Sequence, residues 1–158
     1  ALLAWMTVAE NVALPLVETT TLSEDEIDKK VSAALEAVGL LDAAEKYPSE
    51  ISGGMQKRAG LARAIVRDVD VVLYDEPTSG LDPVTSGSIN RLIKELNRTR
   101  GITSVVVTHD LTAALKYADR IMLLENGKAV ECSAPKEFEK SENPSVRKFL
   151  AATKGEEL

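Results

Sequence analysis

Two carboxylates stand side by side at the end of a short apolar run, Asp70-Val-Val-Leu-Tyr-Asp75-Glu76. An unbroken apolar run of this length reads as a strand buried on both faces. Burying an adjacent acidic pair at such a strand end is costly unless a cation or a reacting group compensates, and Mg²⁺ with a nucleotide would do so. The plainer reading is an exposed Asp-Glu pair at a helix start, where acids are welcome. A second group of interest is Ser52-Gly53-Gly54, ahead of a helical stretch. Backbone N–H groups, a hydroxyl and the positive end of a helix suit phosphate oxygens, although a flexible turn with a serine cap needs the same residues. The third is His109, the chain's single histidine, which follows the apolar run Val105 to Val107. A lone histidine is by itself a structural residue as readily as a catalyst.

The elements that would position these groups can be read from periodicity and punctuation. Val8, Val12 and Leu16 recur at helical spacing, and Pro15 with the Thr19 to Thr21 run is expected to close that helix. Ser23 with Glu26 makes a capping box for a second helix carrying Ile27, Val31, Leu35 and Val38, which Gly39 stops. One more turn is expected over 42–46, and a helix from Met55 to Arg67. The pattern then changes to strand, helix, strand: the run ending at Tyr74, a helix started by Asp82 and Pro83 and ended by Gly101, and Val105 to Val107. That order implies a parallel pair whose carboxyl ends meet at one crevice, the place where open α/β sheets bind ligands. Asp110 caps a further helix to Tyr117, Asn126-Gly127 marks a hairpin between two short strands, and Pro135 and Pro144 start two terminal helices.

With 158 residues, the chain is long enough for one domain burying about 70% of its unfolded surface. Its 44% hydrophobic and 28% charged residues fit a globular protein, and no apolar run reaches the roughly 20 residues that span a bilayer. A net charge of -6 argues against a nucleic-acid partner held by a general basic surface. Cys132 is the only cysteine, so no internal disulfide forms, and the expected location is cytosolic. The chain opens at Ala1 without an initiator Met and runs straight into Leu2, Leu3, Ala4 and Trp5, as the middle of a longer protein would.

Taken in order, Ser52-Gly53-Gly54, Asp75-Glu76-Pro77-Thr78-Ser79-Gly80-Leu81-Asp82 and Val105-Val-Val-Thr108-His109-Asp110 resemble the ABC ATPase family, over essentially the whole chain. The matching motifs are the signature loop, Walker B, D-loop and H-loop. The resemblance implies an α/β fold of the P-loop NTPase type. Residues 1–54 would form a helical subdomain ending in the signature loop, and 55–158 the later part of the ATPase core with a partial parallel sheet and a C-terminal hairpin. It further implies ATP and Mg²⁺ as cofactors, with Asp75 holding Mg²⁺, Glu76 orienting and deprotonating the attacking water, and His109 serving the same nucleotide. Ser52, Gly53 and Gly54 would close over the ATP of a second ATPase subunit, and Asp82 would link the two composite sites. By the same resemblance, the helices over 7–16 and 24–38 receive a membrane permease subunit, which places the protein in the cytoplasm, peripheral to the membrane.

Two departures from the family pattern are visible. Met55 stands where glutamine is usual, with Gln56 next, and no G-x-x-x-x-G-K-[ST] occurs, because the only Gly-Lys pair, Gly127-Lys128, is followed by Ala129. Without that loop nothing in these 158 residues cradles the β- and γ-phosphates, so the ATPase activity is expected of the parent protein and not of this piece. Thr7-Val-Ala-Glu-Asn-Val12, Ser52-Gly-Gly-Met-Gln-Lys-Arg58 and Asn143-Pro-Ser-Val-Arg-Lys-Phe-Leu150 are most similar to the ATP-binding subunits of Mla-type phospholipid transporters. Two other readings remain beside a transporter subunit. A soluble ABC ATPase of DNA repair or translation is one, disfavoured by acidic charge and by a helix over 24–38 that spans only about two heptads. A non-catalytic interaction module is the other.

Overall fold

The computed structural model describes residues 2–154, and the backbone falls into two compact units, one ending at Val107 and one beginning at Thr108. The first unit opens with three helices: α1 (Val8–Thr19), α2 (Glu24–Ala37) and α3 (Gly53–Ile65). Each starts where a side chain can satisfy the orphan N–H groups of a first turn. Thr7 Oγ1 accepts from Glu10 N at 3.2 Å while Glu10 Oε2 accepts from Thr7 N at 2.6 Å, a reciprocal capping box. At α2, Glu26 Oε2 accepts from Ser23 N at 2.9 Å and from Ser23 Oγ at 2.8 Å. These bonds hold the Glu26 carboxyl below its ordinary pKa, the backbone bond from Ser23 contributing most. Because the folded value is depressed, this contribution is complete above the ordinary carboxylate pKa and is lost as pH falls through the folded value.

The apolar stripes of these helices meet in one core. Val8, Val12 and Leu16 of α1 pack with Val31, Ala34 and Leu35 of α2 and with Ala59, Ala62 and Ile65 of α3. Fully burying a Leu or Val side chain is worth roughly 1.5–3 kcal/mol, so this stripe is the main support of the cluster. Asn11 is completely buried, and its amide is fully employed: Oδ1 accepts from Leu3 N at 2.7 Å, and Nδ2 donates to the carbonyls of Leu3, Met6 and Thr7 at 2.9–3.1 Å. One side chain thereby fastens the segment carrying exposed Trp5 to α1. Short 3-10 turns at Leu41–Ala43 and Pro48–Glu50 lead to α3.

Strand β1 (Val71–Asp75), helix α4 (Pro83–Arg100) and strand β2 (Thr103–Val107) form the expected parallel unit, with Val71 opposite Thr103 and Asp75 opposite Val107. Ile89, Ile93 and Leu96 of α4 join the helical core, and Gly101, at φ 68°, ends the helix as a left-handed cap. The second unit contains α5 (Leu111–Tyr117), the antiparallel hairpin β3 (Ile121–Glu125) and β4 (Lys128–Ser133), α6 (Pro135–Phe138) and α7 (Pro144–Lys154). Its core is Leu111, Ile121, Phe138, Val146 and Leu150. Asn126 and Gly127 take φ 50° and 74° at the hairpin tip, the two positive values that the turn signal requires.

Three expectations are corrected. Pro15 does not end α1, which runs on to Thr19, where the Thr19 to Thr21 run closes it as expected; the Pro15 carbonyl accepts from Thr19 Oγ1 at 2.6 Å, and Leu16 O accepts from both N and Oγ1 of Thr20 at 3.0 and 2.7 Å. The threonine hydroxyls satisfy the last carbonyls and so set the end of the helix beyond the proline. Helix α3 covers Gly53–Ile65 where Met55 to Arg67 was expected, because Ser52 caps it and both glycines enter its first turn. Finally, β1 is not buried on both faces: Val72 and Tyr74 are buried, but Val71 and Leu73 are 53% and 76% exposed. The strand alternates as a one-sided sheet does, since helices of its unit cover only the face carrying Val72 and Tyr74.

Candidate functional site

Ser52 takes an extended conformation and caps α3, its Oγ accepting from Met55 N at 3.3 Å. Gly53 and Gly54 are the first two helical residues, so the hydroxyl and the free N–H groups of this turn lie together at a helix N-terminus. Both glycines are close to the start of α4. A Cβ on Gly53 would sit 3.6 Å from Leu81 Cδ2, and a Cβ on Gly54 would sit 2.6 Å from Thr85 Cγ2. The second distance is too short for any other residue without movement, which gives the Gly54 position a packing reason in addition to any ligand. Gly54→Ala is expected to cost about 1–3 kcal/mol of stability by overpacking. Thr85→Ser removes the opposing methyl and should restore most of that loss in the double mutant. Urea unfolding measures both, and a stable single mutant would show that the turn yields.

Met55 packs against the helical core, and Gln56 turns back to donate from Nε2 to Pro48 O at 2.9 Å. Arg58, one residue further than Lys57, bridges Val38 O at 3.3 Å and Ser88 Oγ at 2.7 Å and so ties α3 to the C-terminal end of α2 and to α4. Asp82 caps α4: its Oδ1 accepts from Val84 N at 2.9 Å and Thr85 N at 3.0 Å. Hydrogen bonding to Thr85, its side chain first and its backbone next, draws the Asp82 carboxyl below its ordinary pKa. This cap too is complete above the ordinary carboxylate range and weakens on acidification.

Asp75 and Glu76 follow β1 as expected, though Asp75 is exposed and Glu76 half-buried, so the burial cost inferred from the sequence is not incurred in this chain. Glu76 N donates to Val107 O at 2.9 Å, extending the ladder by one bond beyond the last strand pair. The residue has φ 45°, in the left-handed region where a side chain other than glycine costs about 1–2 kcal/mol. The Glu76 carbonyl accepts from Ser79 N at 3.2 Å, closing a turn over Pro77 and Thr78, and from Lys57 Nζ at 3.3 Å. Sequence reasoning missed Lys57, Arg58 and Thr85, whose partners lie 19 to 31 residues away in the chain. The one available signal was the pair of glycines at 53 and 54, which announces a close approach.

In the second unit, His109 is exposed and its carbonyl accepts from Leu111 N at 3.1 Å. Asp110 Oδ1 caps α5 through Ala113 N at 2.9 Å, and Thr108 Oγ1 accepts from Asp110 N at 3.0 Å. Among the described residues no group of three or more His, Cys, Asp or Glu could hold a metal ion. Mg²⁺ does not need one, since it is commonly held by one or two carboxylates together with substrate phosphates and water, and Asp75 at the strand end fits that donor set. No helix among the described residues is long and apolar enough to cross a membrane.

The family model described as ABC transporter matches residues 1–79. Methionine import ATP-binding protein MetN 2 of Pseudomonas entomophila is 44% identical over 150 residues, 94% of this chain and 45% of that protein. Intermembrane phospholipid transport system ATP-binding protein MlaF of Escherichia coli is 45% identical over 150 residues, 95% of this chain and 56% of that protein. The chain thus spans about half the length of the curated relatives it matches. Two solved structures share the fold. One is the dimeric post-hydrolysis state of the ATP-binding cassette MJ0796 bound to ADP and Pi, with TM-score 0.72, 35% identity, and 85% of this chain and 59% of that one covered. The other is cbiO1 from Clostridium perfringens, part of the ABC transporter complex cbiONQ, with TM-score 0.81, 33% identity, and 93% and 57% covered. With an α/β framework of that likeness and a family match through the capped α3 and the Asp75-Glu76 strand end, the chain belongs to the ABC transporter family, as part of its ATP-binding domain.

Proposed function

We propose that this chain supplies two different half-sites to an ATP-hydrolysing subunit of a membrane transporter. The observation that carries the reading is Asp75-Glu76 at the C-terminal end of a parallel strand pair, with the Glu76 backbone held left-handed by bonds on both its N–H and its carbonyl. Asp75 would hold Mg²⁺, which neutralises charge on the phosphates when bound. Glu76 would accept the proton of the attacking water, and His109 would contact the same nucleotide. Ser52 and the first turn of α3 present donors and a positive helix end, and they would face the nucleotide of a second ATPase subunit. Asp82, which fixes the start of α4 beside Gly54, would hold the loop between the two half-sites. The dimeric relative bound to ADP and Pi supports a two-subunit arrangement.

Helices α1 and α2 would form, with residues 1–54, the subdomain that receives a permease, placing the protein at the cytoplasmic side of a membrane. The transported substrate in this proposal is phospholipid, supported by the Thr7 to Val12, Ser52 to Arg58 and Asn143 to Leu150 segments and by the relative MlaF. Methionine is the second reading, supported by a methionine-import relative of nearly equal identity. Magnesium-dependent ATP hydrolysis tests the core of the proposal. The full-length protein is expected to turn over, and the 158-residue chain, which has no G-x-x-x-x-G-K-[ST], is not. In the assembled transporter, phospholipid and not methionine should raise the rate; stimulation by methionine alone would decide for the second reading.

A further inference from the structure

We infer that Lys57 is a positioning residue for Glu76, a role that rests on the reading of Glu76 as the base. Glu76 is one of two non-glycine residues with positive φ among those described, at 45°. A backbone held in that region persists only when its surroundings over-determine it. Here the restraints can be named: the N–H is spent on Val107 O at 2.9 Å, and the carbonyl is gripped from two sides, by Ser79 N at 3.2 Å and by Lys57 Nζ at 3.3 Å. The first two bonds belong to the strand end and its turn. The third comes from another element, and it is charged.

The root of that third restraint is firm. Lys57 is half-buried on α3, and the helix is seated on both sides of it, by Gly54 against Thr85 and by Arg58 on Val38 O and Ser88 Oγ. An ammonium carries three donors and no acceptor, so a carbonyl is a natural partner and a charge-assisted one. Through Lys57, the helix that begins at Ser52 fixes the peptide from which the Glu76 carboxylate projects. A shift of α3 at its Ser52 end is therefore transmitted to the aim of Glu76.

The test uses Lys57→Met in the full-length protein, which keeps the apolar stem and removes the donor. The expected result is a kcat lowered roughly 10- to 100-fold, the upper end being what a 1 Å misplacement of a reacting group costs, with KM for ATP within about twofold of wild type and only a small fall in melting temperature from the lost bond. Lys57→Arg should recover most of the rate, and the Ser79 amide should exchange faster in Lys57→Met than in wild type. In a Glu76→Gln background Lys57→Met should change nothing further, because the group it aims is gone. Should the Met variant fail to fold, Lys57→Gln, whose shorter amide cannot reach the carbonyl, carries the same comparison. Wild-type kcat in Lys57→Met alongside a slow Glu76→Gln would overturn the positioning role and leave the base intact. Wild-type kcat in Glu76→Gln itself would remove both. A loss seen in KM, or an equal further loss in the Glu76→Gln background, would place Lys57 in nucleotide binding and overturn the inference as well.

Discussion

Glu76→Gln in the full-length protein is expected to keep ATP binding and to lower kcat by about 10²–10⁴-fold, the range that a positioned general base contributes. The amide has the shape of the carboxylate and leaves the backbone bonds of residue 76 to Val107 O, Ser79 N and Lys57 Nζ in place. What disappears is the ability to take a proton from water. An interaction made only as the reaction proceeds lowers kcat and kcat/KM together, whereas loss of ground-state binding raises KM alone. Steady-state turnover together with equilibrium binding of ATP therefore separates the two. A variant that turns over at near wild-type rate would return Glu76 to the role of a half-buried acid after a strand.

Most of the element order could be read from the residues because local chemistry decides it. Glu26 three residues after Ser23, glycine at 101 and Asn126-Gly127 each fix a terminus or a turn within a few residues of themselves. Burial was less legible because it depends on neighbours. Val71 and Leu73 are as apolar as a doubly covered strand needs, yet alternation in exposure is set by the single layer of helices packed behind Val72 and Tyr74. Pro15 misled for a different reason: its missing N–H argues for a helix end, but the helix continues to Thr19, where the hydroxyls of Thr19 and Thr20 take up the carbonyls of Pro15 and Leu16.

At the candidate site the residue types and their order were readable, and their support was not. Ser52-Gly53-Gly54 announced a capped helix start, and the cap is there. The close packing of Gly54 on Thr85, the bridge from Arg58 to Ser88 and the bond from Lys57 to the Glu76 carbonyl join segments distant in the chain, and no local pattern encodes them. The left-handed backbone of Glu76 was equally hidden, since glutamate carries no preference for it. A cap at Asp82 was expected from Asp-Pro at a helix start, and its Oδ1 bonds to Val84 and Thr85 show it.

The central claim is that Ser52 and Glu76 of one chain serve different nucleotides, and mixed dimers of full-length protein test it with two lesions that both lie in this sequence. Ser52→Arg puts a bulky cation where the capping hydroxyl of α3 stands, and Glu76→Gln removes the base. If the two residues serve different nucleotides, a dimer with one Ser52→Arg subunit and one Glu76→Gln subunit collects both lesions in a single site and keeps the other intact. A dimer of one doubly mutated subunit with one wild-type subunit then has a lesion in each site. If the two residues serve the same nucleotide, the outcomes exchange. Single-turnover hydrolysis of prebound ATP reads each site once and does not require the two to alternate. Hydrolysis of up to one ATP per dimer is expected in the singly mutated pair and almost none in the double-mutant and wild-type pair; hydrolysis confined to the second pair would contradict service of different nucleotides by Ser52 and Glu76.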